Sequence, residues 1–521
     1  MKGHAGGRVR SCIAGVDIGT SSVKSVVVDQ DGAVVAKGVA EYPLHSPRAH
    51  TAEQNSDEIF TGVMESLRRA VDGAGRSSCR VEGIAFSAAM HSLIALDDRL
   101  RPMTPSITWA DNRAAAQADR LRRSHDGPDI HRRTGTPLHA MSPLAKLLWF
   151  RDEEPELFRA AALWVSIKEF VVLGLTGKTA ADHSIASATG LYSLHDSSWD
   201  AGVLDLVGLL PEALPDLVPT THIVGSLLPD VAKQLGLGPK TPVVIGASDG
   251  ALANVGVGAF HPGMVVCSIG TSGAVRATVD RPTTDERGRL FCYVLGDDLW
   301  MVGGPSNNGG SALAWARSAL FPDLPDDGNA FAALDRAAAG APAGAGGLIF
   351  LPYLLGERAP QWDSDARAVF FGLTVQHERD HMLRAVLEGV AMQINTILRL
   401  VEDTVGVSVE DLRATGGFAR METWRDILAG VLGRPVRFPA NHESSAWGAA
   451  VLGMLALDRI GSLDWVDDRV TFEETREPDP TDADAYAQMT RLFEPLYDRL
   501  RPSFADLARF GGQQTQSKSA E

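Results

Sequence analysis

The sequence predicts a duplicated α/β fold, and three observations carry that prediction. The tetrapeptide Ile-Gly-Thr-Ser occurs twice, at residues 18–21 and 269–272, about half the chain apart. Each copy ends one apolar, strand-like run and leads straight into another, as in a β-hairpin with a small, hydroxylated turn. Around each copy the same order of elements is legible, three strands, a helix, a strand and a helix, which is an α/β pattern with a mixed sheet. At 521 residues the chain is too long for one core, so two large domains are expected.

In the first half the strands are expected at 13–19, 23–29 and 34–41, followed by a polar helix at 56–71 and a strand at 81–87. Helices follow at 111–124 and 143–151. The apolar run PVVIGAS at 242–248 reads as a buried strand, with a helix over 249–258. In the second half the strands are expected at 265–270, 274–279 and 299–303, helices at 308–319 and 381–401, a strand at 412–416 and a helix at 422–432. The stretch AAGAPAGAGG at 338–347 reads as a flexible surface loop. Residues 1–10 and 511–521 read as frayed tails.

Composition narrows the function classes. Hydrophobic residues make up 45% and charged residues 22%, which is ordinary for a globular protein. The net charge of −16 argues against a nucleic-acid or anionic-membrane surface, which needs basic patches. It leaves room for a local cationic pocket and an anionic small-molecule substrate. Cys12, Cys79, Cys267 and Cys292 fit no metal-site spacing, and their scarcity fits a reducing compartment. No signal peptide is legible, and no window approaches the roughly 20 apolar residues that span a bilayer. A cytoplasmic location is expected. The sequence is silent on oligomeric state, and a homodimer is left open.

The chemistry-bearing residues cluster around the two turns. Small turn residues let backbone N–H groups approach an anion, and hydroxyls add donors. Gly19, Thr20 and Ser21, with Gly270, Thr271 and Ser272, are therefore candidate phosphate contacts, and facing turns would hold a nucleotide in a cleft between the halves. Lys24 and the pair Gly309–Gly310 are counted with them. Asp17 ends a buried strand, where a carboxylate needs a partner; beside a phosphate turn that partner is Mg²⁺, the bland alternative being a turn cap. Asp249 opens a helix after a strand, so it can serve as an N-cap or as a general base that accepts a hydroxyl proton. Gly416, Gly417 and Phe418 form a strand–glycine–helix turn that admits a flat base or ribose, or is a plain helix entry. Met90, His91, Trp109, Asp111 and Arg113 could line a polyol site; an Asp–Arg pair at a helix start and a structural histidine are the alternatives.

With these residues in view, the chain resembles the FGGY family of carbohydrate kinases over nearly its whole length. One signature reads Met141-Ser142-Pro143-Leu144-Ala145-Lys146-Leu147-Leu148-Trp149-Phe150-Arg151-Asp152-Glu153. The other runs from Ala368 through Phe370, Gly372 and Leu373 to His381, Ala385 and Glu388. The resemblance implies two actin-like (ribonuclease H-like) ATPase domains with an interdomain cleft. Residues 11–257 would carry the sugar site and the first phosphate turn, and 258–510 the nucleotide site. It implies ATP and Mg²⁺ as cofactors, with Asp17 and Asp249 at the metal, and a small-molecule sugar or sugar acid as substrate. It assigns Asp249 as the catalytic base and Gly417 and Phe418 to the adenosine. One departure is visible: where the family often carries Asn after the GG turn, this chain has Arg420-Met421-Glu422.

Within the family, stretches such as HAMSPLAKLLWFR, DHSIASATGLYSL and FLPYLLGERAPQWDSDARAVFFGL are similar to the branch that phosphorylates gluconate. A xylulose-type kinase is the alternative. An acid substrate needs a cation or N–H donors at its far end, and Arg113, Lys168 and His183 are the candidates. A chaperone-like ATPase or a filament-forming actin relative would leave the Met90-His91-Ser92 and Trp109–Arg113 segments without a task.

Overall fold

A computed structural model describes residues 10–518, apart from 49, 297, 325–329, 407, 408, 441 and 442. The chain forms two compact units. Unit 1 comprises Met1–Phe260, Thr278–Met301 and Glu443–Thr471; unit 2 comprises His261–Ala277, Val302–His442 and Phe472–Glu521. Residues 278–301 and 443–471 thus belong with the first unit although they follow the sequence boundary expected at 257. Of the expected N-terminal tail, residues 1–9 lie outside the described residues. No helix among the described residues is long and apolar enough to cross a membrane.

In unit 1 the strands are β1 (Arg10–Ile18), β2 (Ser22–Asp29), β3 (Val34–Glu41), β4 (Cys79–Ala88), β5 (Ile223–Ser226) and β6 (Pro242–Ser248). They form one sheet in the order β5-β6-β4-β1-β2-β3. β1 runs antiparallel to β2 and parallel to β4, and β4 runs parallel to β6. The apolar runs are continuous because both faces are covered. Cys12, Ala14, Val16 and Ile18 of β1 join a core with helix α1 (Ser56–Arg76), whose Ile59, Val63, Leu67, Ala70 and Ala74 make a stripe at helical spacing. Asn55 caps α1, accepting from Asp57 N–H at 2.9 Å.

The alternate residues of β1 point to the other face. Ile13 there joins a second core with α5 (Asp249–Gly256) and α10 (Ser444–Ala456), drawn from Ala251, Leu252, Val255, Ala446, Trp447, Ala450 and Val451. Gly15 is required by this packing, since a Cβ at that position would lie 1.9 Å from the Ala446 carbonyl oxygen. Asp17 shares the parity of Ile13 and Gly15, so strand geometry alone delivers its carboxylate to the face covered by α5, the helix that Asp249 opens. Between these elements the unit includes α2 (Pro143–Glu153), α3 (Ile167–Thr176) and the short α4 (His183–Ser187).

The second sheet contains β7 (Met264–Ile269), β8 (Gly273–Val279), β9 (Phe291–Gly296), β10 (Leu299–Ser306), β11 (Asp411–Thr415), β12 (Val436–Pro439) and β13 (Phe472–Arg476), in the order β9-β10-β8-β7-β11-β12-β13. From β10 to β13 this repeats the order β3-β2-β1-β4-β6-β5, so the duplication read from the tetrapeptide extends to sheet topology. One connection differs: β5 precedes its neighbour β6 in sequence, whereas β13 follows β12. The helices of unit 2 include α6 (Gly310–Leu320), α7 (Ala330–Gly340), α8 (Arg379–Val405), α9 (Glu422–Leu432) and α11 (Leu496–Lys518).

Three expectations are corrected. The helix expected from 111 starts only at Ala115, because the Asp111 carboxylate holds a turn instead. The stretch 338–347 is no free surface loop: Ala338, Ala341 and Ala345 are buried, and Arg384 and Glu388 of α8 bond the Ala338 and Ala341 carbonyls and the Gly344 N–H. The chain expected to fray from 511 stays helical to Lys518, the paired glycines at 511 and 512 weakening the helix without stopping it.

Candidate active site

The first Ile-Gly-Thr-Ser turn lies between β1 and β2, with Ile18 paired to Val23 and Gly19 N–H donating to Ser22 O at 3.0 Å. Its carbonyls are tied down from outside. Tyr42 O–H donates to Gly19 O at 2.7 Å, and Gln54 Nε2 donates to Thr20 O at 2.6 Å. The Trp109 indole N–H donates to Thr20 Oγ1 at 2.9 Å, which joins a residue expected at the acceptor to one expected at phosphate. Ser21 is exposed. Lys24, opposite Asp17 in the hairpin, is ion-paired with Glu443 at 3.2 Å.

Asp17 is partly buried and accepts from Ser87 Oγ at 2.7 Å, across the parallel β1–β4 pair. Loss of water pushes its pKa from 3.8 up to about 6, and the charge of Asp249 adds to the rise; Ser87 and Lys24 oppose it. A folded-state pKa above the unfolded value stabilises the fold at low pH, and that contribution is lost as pH rises through about 6. Asp17→Asn is therefore expected to raise stability in metal-free buffer at pH 8 by about 1–2 kcal/mol, allowing for the partial exposure of the carboxylate. The gain should shrink toward pH 4. Thermal melts of both proteins across that range check it, and a pH-independent difference would contradict it.

Asp249 is not the helix cap. Ser248 caps α5, its Oγ accepting from Ala251 N–H at 3.3 Å. Ser184 of α4 donates to Ser248 Oγ at 2.9 Å and accepts from Ser248 N–H at 3.2 Å, fixing the strand end that presents Asp249. The Asp249 side chain is partly exposed, with Oδ1 accepting from Gly250 N–H at 2.7 Å.

The acceptor candidates separate into two groups. His91, in a left-handed backbone turn at φ 68°, donates from Nδ1 to Ala188 O at 2.8 Å, just beyond α4. Met90 packs against the core that holds α5. Asp111 and Arg113, by contrast, form an internal brace. Asp111 is fully enclosed and accepts from Ala52 N–H at 2.7 Å and from Arg113 Nε at 2.8 Å. Arg113 also pairs with Glu53 and lies over the Trp149 ring. Lys168 is sealed against Asp182 at 2.6 Å, both fully buried. The third candidate for an acid group, His183, has a partly exposed side chain, and its Nδ1 lies 3.0 Å from the Tyr192 hydroxyl.

In unit 2 the second turn lies between β7 and β8, with Ile269 paired to Gly273. It is one residue shorter than the first. Helix α6 ties its carbonyls: Gly310 N–H donates to Gly270 O at 2.6 Å, and Gly309 and Ser311 N–H donate to Thr271 O at 3.2 and 3.1 Å. Gly309 and Gly310 thus hold the turn with their N–H groups instead of presenting them to a ligand. Thr271 and Gly270 are exposed, and Ser272 is partly so. Gly416 and Gly417 are exposed too, and a Cβ at Gly417 would meet no atom within 4 Å. The Phe418 ring is buried against Trp424 and Phe438, so an adenosine there would meet backbone.

Sequence reading missed Ser87, Tyr42, Gln54 and Lys146. Ser87 carried a signal, a hydroxyl inside an apolar strand. Lys146 is fully buried and donates to the carbonyls of His91, Ile107 and Thr108 at 2.5, 3.2 and 2.8 Å. Burial pushes its pKa down to about 7, opposed by Asp111, and three carbonyl acceptors call for the protonated form. This lysine of the first signature therefore ties the His91 segment to the segment of Ile107 and Thr108.

Comparison with known proteins gives concordant results. The model of the FGGY family of carbohydrate kinases, N-terminal domain, matches residues 12–256, and that of the C-terminal domain matches residues 265–457. The chain is 40% identical over 505 residues to a gluconokinase of Bacillus subtilis (strain 168), covering 96% of this chain and 98% of that protein. The crystal structure of a gluconate kinase from Lactobacillus acidophilus matches with a TM-score of 0.90 at 34% identity, covering 96% of this chain and all (100%) of that one. A ligand-bound xylulose kinase from Lactobacillus acidophilus also matches with a TM-score of 0.90 at 34% identity, covering 95% and 100%.

Proposed function

The chain belongs to the FGGY family of carbohydrate kinases, and on that premise we propose that it transfers the γ-phosphoryl group of ATP to the terminal hydroxyl of D-gluconate, giving 6-phospho-D-gluconate and ADP. The observation that carries the acceptor is the 40% identity to a gluconokinase over 96% of the chain, because the solved gluconate and xylulose kinases fit the fold equally well.

In this reading Asp249 takes the proton of the terminal hydroxyl as that oxygen bonds to the γ-phosphorus, while the bond from phosphorus to the bridging oxygen breaks and ADP leaves. Its support is that Ser248 supplies the cap of α5, so the Asp249 carboxylate is not consumed as the helix cap. Asp17 and Asp249 would hold Mg²⁺. The fit is electrostatic: a divalent cation relieves the repulsion that helps push Asp17 up to about 6. When bound, the metal neutralises phosphate oxygens. Thr20, Ser21, Thr271 and Ser272 offer hydroxyls and N–H groups to those oxygens, in turns whose Gly and Thr carbonyls are already hydrogen-bonded. Gly416 and Gly417 offer open backbone to the adenosine. His91, Trp109 and Met90 line the polyol, with His183 toward its acid end; Asp111 and Arg113 act through the segment they brace. The ATP requirement and four free, buried cysteines fit a cytoplasmic enzyme.

An ADP-coupled assay against gluconate, xylulose, ribulose and glycerol tests the reading. Gluconate is expected to lead in kcat/KM by at least about tenfold, the ratio that 1.4 kcal/mol of discrimination gives. A lead for xylulose would hand the assignment to the xylulose-type alternative. ATP hydrolysis unmoved by any sugar would end the kinase reading.

A further inference from the structure

We propose that Gln54 is a positioning residue for phosphoryl transfer, clamping the Thr20 carbonyl of the first phosphate turn from a strand paired with the segment that leads to Trp109. This rests on the kinase reading above and adds a residue to it.

Two stretches of unit 1 are zipped into one platform. Glu53 and Gln54 pair antiparallel with Ile107 and Ser106. Thr108 donates from both N–H and Oγ1 to Ala52 O, at 3.0 and 2.9 Å, and Ala52 N–H donates to Asp111. Arg113 closes the platform by pairing with both Asp111 and Glu53. Two side chains leave this platform for the same residue of the turn. Gln54 reaches the carbonyl of Thr20, and Trp109 reaches its hydroxyl. Gln54 is 5% exposed, so its short 2.6 Å bond is shielded from competing water.

The second copy of the turn supplies an independent argument. There the same two carbonyls, of the Gly and the Thr, are held by the N–H groups that begin α6. Among the described residues no helix start bonds the Gly19 and Thr20 carbonyls of the first turn, and Tyr42 and Gln54 serve in its place. Two unrelated devices thus meet one requirement. With its Gly and Thr carbonyls already engaged, each loop is left with hydroxyls and N–H groups for an anion.

The test is a double-mutant cycle on the full-length enzyme, with Gln54→Leu, Trp109→Phe and the pair. Losing a donor to a buried carbonyl predicts about a tenfold rise in KM for ATP in Gln54→Leu, with the KM for gluconate within about twofold of the parent. Trp109→Phe should also raise the KM for ATP although it lies on the acceptor segment. The pair should lose less than the product of the two, because both act on Thr20. Gln54→Asn, which keeps the amide, should recover part of the loss and serves if Gln54→Leu does not fold. An unchanged KM for ATP in the Gln54 variants, or losses that simply multiply, would overturn the proposal. If the parent enzyme phosphorylated another sugar in place of gluconate, the acceptor reading would fall while the ATP comparison, run with that sugar, would still judge Gln54.

Discussion

Asp249→Asn loses turnover by about 10²–10⁴-fold and keeps its affinity for ATP, the loss expected when a general base is removed. The substitution leaves the local backbone contacts in place. Ser248, not Asp249, caps α5, so the helix start survives. An asparagine oxygen can still accept from Gly250 N–H, as Oδ1 does now. What disappears is the charge and the capacity to take a proton. Single-turnover phosphorylation alongside calorimetric nucleotide binding separates the two quantities. A second readout follows from electrostatics: the negative charge of Asp249 is the second-largest cause of the raised Asp17 pKa, so that pKa should fall in the variant. Near-parental turnover would remove Asp249 as the base.

Gly416→Ala costs about 3 kcal/mol or more of stability and raises the KM for ATP at least about tenfold, because two penalties coincide. Gly416 has φ 122°, a backbone region that side chains avoid, and its Cβ would lie 2.2 Å from the Ile269 carbonyl oxygen. That oxygen belongs to main chain entering the second turn, so relief requires β7 and β11 to separate where nucleotide contacts are expected. Gly417→Ala is the control: nothing lies within 4 Å of its Cβ, so the fold should stay intact. Denaturant melts and ATP kinetics on both variants check this, and equal stability of the two would contradict it.

Both turns were legible because the tetrapeptide carries its own chemistry, and the β6–α5 junction because a buried apolar run stops at Ser248. Features set by distant partners were not. Asp111 reads as a polyol ligand until Ala52, 59 residues earlier in the chain, is seen to donate to its carboxylate. Residues 338–347 read as a free loop because alanine and glycine hide the anchoring, which comes from Arg384 and Glu388 more than 40 residues later. Gln54 and Tyr42 have no local motif, and only folding brings them to the carbonyls they hold. β13, with sequence FEETR, is a half-exposed edge strand whose polar alternation carries a weak signal.

The long excursion of the chain before α10 limits how the protein can be dissected. Expression of residues 11–257 alone would leave α5 as the remaining cover on one side of the sheet, uncovering parts of Ile13, Val26, Val28 and Ala247 that share a core with Trp447, Ala450, Val451 and Met454 in the intact molecule. Such a fragment should aggregate unless residues 443–471 are supplied as a separate peptide or grafted on through a linker. Nascent chains face the same predicament on the ribosome, since the first unit cannot finish until just over nine-tenths of the polypeptide has been made.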